Sequence, residues 1–403
     1  MKIILKKIRL CLLASISLFF VACSNSEKLS GDEFLIEGKI DGVENGAVIT
    51  LFRRDGDTGA TIATDTLKNN RFRFKIEAVS NPEKMDIMCF DEGYPSSNAL
   101  SFWVAPGKRI KITGKDKMLT AWTVKSYIPY QKEQNLYSDK SRNIIWEMAR
   151  LAVEYNDLRT KVRSSPSEED ANKYRKNADS IDLIRRTLSV EQDLADLEIM
   201  EKYDISPIWL DKMREISIGI KYSKVEGEYT DVVRKKTEVL YNRMSEEDKN
   251  TPMGYNITAN LFPPAVVGVG DDMADTDFFD TNGNTKHLSD YSGKYLLLDF
   301  WSRGCGPCIM ALPEMKEISE TYADKLTIIS ISLDTDAAWK EAMTIHDMPW
   351  VNIRDPKGMG GLAANYDVAG IPNYVMISPE GKIIDKWMGF GEGYLKRKVS
   401  ENI

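Results

Sequence analysis

The tetrapeptide Cys305-Gly306-Pro307-Cys308 follows the apolar run Tyr295-Leu296-Leu297-Leu298-Asp299-Phe300-Trp301 and precedes Ile309-Met310-Ala311-Leu312-Pro313-Glu314-Met315. The first run has the character of a buried strand and the second the pattern of a helix, so the two thiols fall at a strand-to-helix junction. Cysteines three positions apart can close a small disulfide ring. Cys305 then sits at a helix N-terminus, where the positive end of the dipole and free backbone N–H groups favour a thiolate. A redox centre at this junction constrains the reading of the whole chain.

At 403 residues the chain is too long for one ordinary core, and two or three domains are expected. Net charge is −7, and the N-terminal leader alone carries Lys2, Lys6, Lys7 and Arg9, so the remainder is more acidic still. An acidic chain without a basic block argues against nucleic-acid binding. Those basic residues precede an apolar stretch, Leu10 to Ala22, of signal-peptide length and too short to span a bilayer. The stretch ends Phe20-Val21-Ala22-Cys23, which resembles a bacterial lipobox, with Phe20 where Leu is usual. The expectation is a signal peptide over 1–22, a lipidated Cys23 and a polar tether over 23–31. An uncleaved hydrophobic anchor is the alternative. Of the five cysteines, Cys11 belongs to the leader and Cys89 lies in a strand-like run beside Met85 and Ile87, where a free thiol reads as a small core residue.

Behind the tether, residues 32–120 contain roughly seven short β-prone runs punctuated by Gly, Asn, Asp and Pro, predicting a small β-sandwich. Phe72, Phe74 and Ile76 alternate with Arg71, Arg73 and Lys75, so one face is buried and one wet. Residues 130–250 turn helical. Ile144, Met148, Leu151, Tyr155, Leu158 and Val162 form one apolar stripe, and Ser165-Pro166-Ser167 and Ser206-Pro207 read as helix starts. These stripes read as packing faces, with a dimerisation surface as the alternative. Thr251-Pro252-Met253-Gly254 is expected to close the helices, and the last region is placed at 262–403.

That last region resembles the thioredoxin superfamily, specifically the extracytoplasmic TlpA/ResA-type thiol–disulfide oxidoreductases. The resemblance rests on Phe278-Phe279-Asp280 with Gly283 as an opening hairpin and on Leu298-Asp299-Phe300-Trp301 leading into the CGPC. It extends through Pro313 in the first helix, Val368-Ala369-Gly370-Ile371-Pro372 and the closing hairpin Val375 to Ile383. It covers about a third of the chain. The fold class it implies, with the regions before it, is multidomain α+β: N-terminal β-sandwich, central helical region, C-terminal thioredoxin-like α/β domain. Cys305 is then the attacking nucleophile and Cys308 the resolving thiol. Gly306 and Pro307 tune the redox pair, since by resemblance Gly-Pro marks reducing members. Asp299 is implied as a buried base for Cys308, against a strand-end Asp facing water. The Ile371–Pro372 bond is implied to be cis, making Ile371 and Pro372 substrate contacts. Trp301 is a further substrate-contact candidate, with plain core packing as the alternative. The chain departs from the family in having Gly304 rather than Trp before the first Cys and Asn373 where Thr is frequent after the cis-proline. Arg303 either stabilises a thiolate or faces water.

The expected activity is reduction of disulfides in exported proteins by a lipid-anchored enzyme at the periplasmic side of the cell envelope. Ser24, in place of Asp, favours the outer membrane. Electrons are expected from a membrane thiol relay, because such compartments lack their own reductase pool. No cofactor or metal is expected: His287 and His346 show no paired spacing to complete a zinc site with the two thiols. A disulfide oxidase or isomerase, a thiol peroxidase and a mainly binding lipoprotein are the competing readings. Ser302 lies three before Cys305, but no proline lies four before Ser302, as a peroxidatic motif requires. Client, electron donor and oligomeric state are not legible.

Overall fold

Alternation of buried and exposed residues builds the first strands. In β4 (Arg71–Ile76), Phe72 and Phe74 are buried while Arg71, Arg73 and Lys75 face out. The computed structural model describes residues 28–403 apart from 56–57, 78–80, 92–93, 95–98 and 223–227. The leader at 1–22 and Cys23 lie outside the described residues.

Eight strands form two four-stranded sheets. With β1 (Phe34–Asp41), β2 (Val48–Asp55), β3 (Thr58–Thr66), β5 (Glu83–Cys89), β6 (Leu100–Val104), β7 (Arg109–Lys115) and β8 (Thr123–Lys125), the orders are β4-β1-β7-β8 and β3-β2-β5-β6. Phe34, Ile36, Ile110 and Ile112 of the first sheet and Ile49, Leu51, Met85, Ile87 and Phe102 of the second belong to one hydrophobic core.

Helices α1 (Pro129–Lys140), α2 (Arg142–Ser164), α3 (Glu168–Met200), α4 (Pro207–Tyr222), α5 (Glu228–Tyr241), α6 (Glu246–Lys249) and α7 (Pro252–Leu261) follow. Their starts obey capping chemistry. Ser167 Oγ accepts from the Asp170 amide at 3.1 Å, and Ser206 Oγ accepts from the Trp209 amide at 3.0 Å with Pro207 opening α4. Helices α2 and α3 pack on each other through Leu151, Leu158, Ala178 and Ile181. Trp209, Met213 and Ile216 of α4 and Ile257 and Leu261 of α7 instead join the core of the two sheets. The strand-rich and helical stretches therefore share one apolar interior.

The segment Thr251-Pro252-Met253-Gly254 does not end the helices; it starts α7. Thr251 Oγ accepts from the Gly254 amide at 3.0 Å, and Pro252 occupies the first turn. Thr-Pro is a helix-start signal, since proline lacks only an N–H that the first turn leaves unpaired.

A seven-stranded sheet occupies the C-terminal region: β9 (Phe278–Phe279), β10 (Thr285–Lys286), β11 (Tyr295–Trp301), β12 (Leu326–Ser332), β13 (Val351–Arg354), β14 (Asn373–Ile377) and β15 (Ile383–Met388), in the order β10-β9-β13-β12-β11-β14-β15. Strand β11 pairs parallel with β12 and antiparallel with β14. Helices α8 (Gly306–Thr321), α9 (Asp336–Ile345), α10 (Leu362–Asn365) and α11 (Tyr394–Asn402) complete it. Strand periodicity divides β11 cleanly: Leu296, Leu298 and Phe300 enter one core, and Leu297 enters another with Met315 and Ile318 of α8. Asp299 and Trp301 share the face of Leu297, the face that α8 covers. Glu314 of α8 is buried because it caps α11, its carboxylate accepting from the Gly393 and Lys396 amides at 3.2 and 2.6 Å.

Helix α7 docks the N-terminal body onto this region. Gly360, in the turn before α10, lies so near the α7 backbone that a Cβ there would fall 2.2 Å from the Tyr255 carbonyl carbon. Only glycine permits that approach. Lys357 lies over the Tyr255 ring at 5.6 Å, and Lys221 of α4 pairs with Asp367 at 4.0 Å. Among the described residues, no helix is long and apolar enough to cross a membrane.

Candidate active site

Strand β11 delivers its chain end to the N-terminus of α8, and the disulfide Cys305–Cys308 forms there. Cys305 is the N-cap of α8, and its Sγ accepts from the Cys308 amide at 3.2 Å. An amide aimed at sulfur at the positive end of a helix stabilises the thiolate that appears when the pair is reduced. Cys305 is half-buried, whereas Cys308 is only 3% exposed. Of the two sulfurs, that of Cys305 is therefore the one a second molecule can reach. Gly306 and Pro307 fill the first two helical positions and are exposed. A Cβ at Gly306 would meet nothing within 4 Å, so packing does not demand glycine there. Its absence of a side chain leaves the surface beside Cys305 open.

Asp299 is 4% exposed, and burial pushes its carboxyl up to about 7, partly offset by a hydrogen bond that the Ser330 hydroxyl donates at 2.7 Å. Trp350 Nε1 donates to Ser330 Oγ at 2.8 Å, and Trp350 also packs against the cluster of Trp301, Cys308, Trp339, Ala342 and Met348. A continuous set of contacts thus joins the carboxyl to the surroundings of Cys308. Sequence reasoning found Asp299 but not Ser330 or Trp350. The signal for them was positional: Ser330 is the β12 partner of Asp299 in the sheet register.

Asp334 organises the loop before Cys305. It is 5% exposed and accepts from the Arg303 amide at 2.7 Å and from Ser332 Oγ at 3.1 Å. The Arg303 guanidinium is paired with Glu341, away from a role as thiolate counter-ion. Trp301 requires a correction. At 1% exposure it is packed with Trp339 and Cys308, beneath the surface a substrate can touch. Strand alternation, which puts it under α8, accounts for this.

The Ile371–Pro372 peptide bond is cis. Ile371 is half-buried and packs against the same small cluster as Cys305 and Ile309, so the loop and the disulfide are neighbours. Among the described residues, neither the N–H nor the C=O of Ile371 hydrogen-bonds to the protein. Pro372 is buried, its carbonyl accepting from the Gly389 amide at 2.9 Å. Cys89 lies far along the chain in β5, 1% exposed, and burial pushes its thiol up to about 11. It is a core thiol rather than a nucleophile.

The AhpC/TSA family matches residues 269–386. The thioredoxin-like protein YneN of Bacillus subtilis is 30% identical over 113 residues, 27% of this chain and 64% of that protein. The chain thus spans less than two thirds of that relative's length. The thiol-disulfide oxidoreductase ResA of Bacillus cereus is 31% identical over 125 residues, 29% of this chain and 71% of that protein. Among solved structures, the thioredoxin domain of a thiol-disulfide oxidoreductase from Bacteroides vulgatus is 28% identical. The match covers 34% of this chain and 99% of that one, with a TM-score of 0.32.

Proposed function

Because the chain belongs, through its C-terminal domain, to the ResA-like thiol–disulfide oxidoreductases of the thioredoxin superfamily, we propose that it reduces disulfides of exported proteins through Cys305 and Cys308. The observation that carries this reading is the Cys305–Cys308 disulfide at the tip of α8, with the accessible sulfur held by the Cys308 amide.

The reaction starts from the dithiol. The Cys305 thiolate attacks one sulfur of the client disulfide, a mixed disulfide forms, and the first client thiolate leaves and takes a proton. Ile371 pairs its free backbone groups with the client segment and Pro372 holds that loop in place. Cys308 then gives its proton to the Asp299 carboxylate and attacks Cys305 Sγ. The second client thiolate leaves and is protonated, and the protein is left as the disulfide described above. Two electrons and two protons pass to the client. A membrane thiol relay returns the pair to the dithiol, since an extracytoplasmic compartment supplies no soluble reductase pool. Lipidation at Cys23 would hold the enzyme at the periplasmic side of the envelope, in the outer membrane in the reading favoured by Ser24.

Cys308→Ala tests the exchange. It leaves the mixed disulfide unresolved, so adducts through Cys305 should accumulate in cells and be released by reductant; a variant that traps no partner refutes the assignment. A thiol peroxidase is the second reading, favoured by the AhpC/TSA match. There the Cys305 thiolate takes one oxygen from peroxide and Cys308 displaces water from the sulfenic acid. Peroxide consumption at a rate matching or exceeding disulfide reduction selects that reading.

A further inference from the structure

A cleft beside the disulfide is walled by the N-terminal body. On one side lie Ile218 and Tyr222 of α4 and Asn256 and Asn260 of α7; on the other lie Ser302 and Ile371. It encloses about 280 Å³. It adjoins a second cavity of about 540 Å³ that runs between the same helices and the turn before α10, reaching Trp103 of β6. The two share Arg214, Asn256, Leu333 and Met359. The walls are held in register by the close approach of Gly360 to Tyr255 described above, so the cleft belongs to the assembled chain and not to the C-terminal domain alone.

We propose that this cleft binds the extended polypeptide that flanks the reactive cysteine of an oxidised client, and that α4 and α7 thereby select clients by the residues beside that cysteine. The inference rests on the dithiol reading above. Three features identify the occupant. The cleft is continuous with Ile371, whose unpaired N–H and C=O form a ready edge for an extended strand. Its wall mixes apolar surface from Ile218, Tyr222, Met359 and Ile371 with the polar side chains of Arg214, Lys221, Asn256 and Asn260, which suits an apolar side chain carried on a polar main chain. Ser302, 1% exposed, lies in the wall with its Oγ lacking a hydrogen-bond partner in the protein, and a buried hydroxyl left unpaired is costly until a ligand group reaches it. A small symmetric disulfide needs none of this length, because the two cavities together run from Ile371 to Trp103.

The test uses the full chain, Tyr222→Ala and Ile218→Asp, and two substrates: bis(2-hydroxyethyl) disulfide, which has no flanking chain, and a disulfide-linked pair of unstructured peptides with Leu beside each cysteine. Tyr222 is 41% exposed, so its truncation disturbs little of the core. The expected result is a loss of about tenfold in kcat/KM for the peptide in either variant, carried by KM, with small-disulfide rates and reduction potential unchanged. Equal losses on both substrates, or no loss on the peptide, overturn the proposal. If the parent protein reduces neither substrate, the dithiol reading itself fails.

Discussion

The Asp299 carboxyl offers a prediction whose sign and size both follow from burial. In the folded protein it ionises near 7, against 3.8 for an unburied carboxyl, and the cause is loss of hydration beneath α8. Between those two pH values the unfolded chain has released the proton while the folded chain keeps it. Stability therefore falls as pH rises from about 4 to about 7 and is level above that. At 1.36 kcal/mol for each pH step, the accumulated cost is about 4 kcal/mol. Asp299→Asn removes the ionisation but keeps an oxygen to accept from Ser330. The variant should match the parent within about 1 kcal/mol at pH 4 and exceed it by about 4 kcal/mol at pH 8. The assay is denaturant unfolding of the oxidised proteins across that range, taking the free energy from the transition of the C-terminal domain. A difference that does not change with pH would refute the reasoning. The same substitution removes the proposed proton acceptor for Cys308, so decay of the mixed disulfide, followed by rapid quench from about pH 6 to 9, should slow while its formation does not. Stability gained and resolution lost in one variant would mark a charge kept buried for chemistry.

In defined thiol buffers the Cys305–Cys308 pair should show a potential near about −250 mV or lower; a value near about −120 mV would make the protein an oxidant and reverse the proposed flow of electrons. Cys23→Ala should move the protein from the membrane to the soluble fraction of the envelope, and unchanged fractionation would exclude lipid anchoring at that residue. Gly360→Ala places a methyl group against the Tyr255 backbone, which should cost about 1–3 kcal/mol and raise protease sensitivity between α7 and β9. Unchanged digestion would show that the two bodies are not locked at that turn.

The chain's sequence alone determined the redox centre, because the chemistry needs two thiols at a spacing set by one helical turn, and the apolar run before them and the amphipathic pattern after them are local signals. The same holds for β4, β11 and the helix starts at Ser167 and Ser206, where alternation or a capping hydroxyl acts within a few residues. Thr251-Pro252 carries an equally local signal, and the hydrogen bond from the Gly254 amide to Thr251 shows that it starts a helix where an ending was expected. What the tertiary structure decided involves residues distant in sequence. Strand alternation already placed Trp301 on one face of β11, yet only the packing of α8 and α9 shows that face to be covered. Ser330 and Trp350 become relevant to Asp299 only through the pairing of β11 with β12 and the return of the chain after α9. The shared core of the two small sheets with α4 and α7 was likewise beyond local pattern, since an apolar stripe states that a helix face is buried and not against what. The cleft beside Ile371 follows from that packing, as it exists only where Gly360 lets α7 approach.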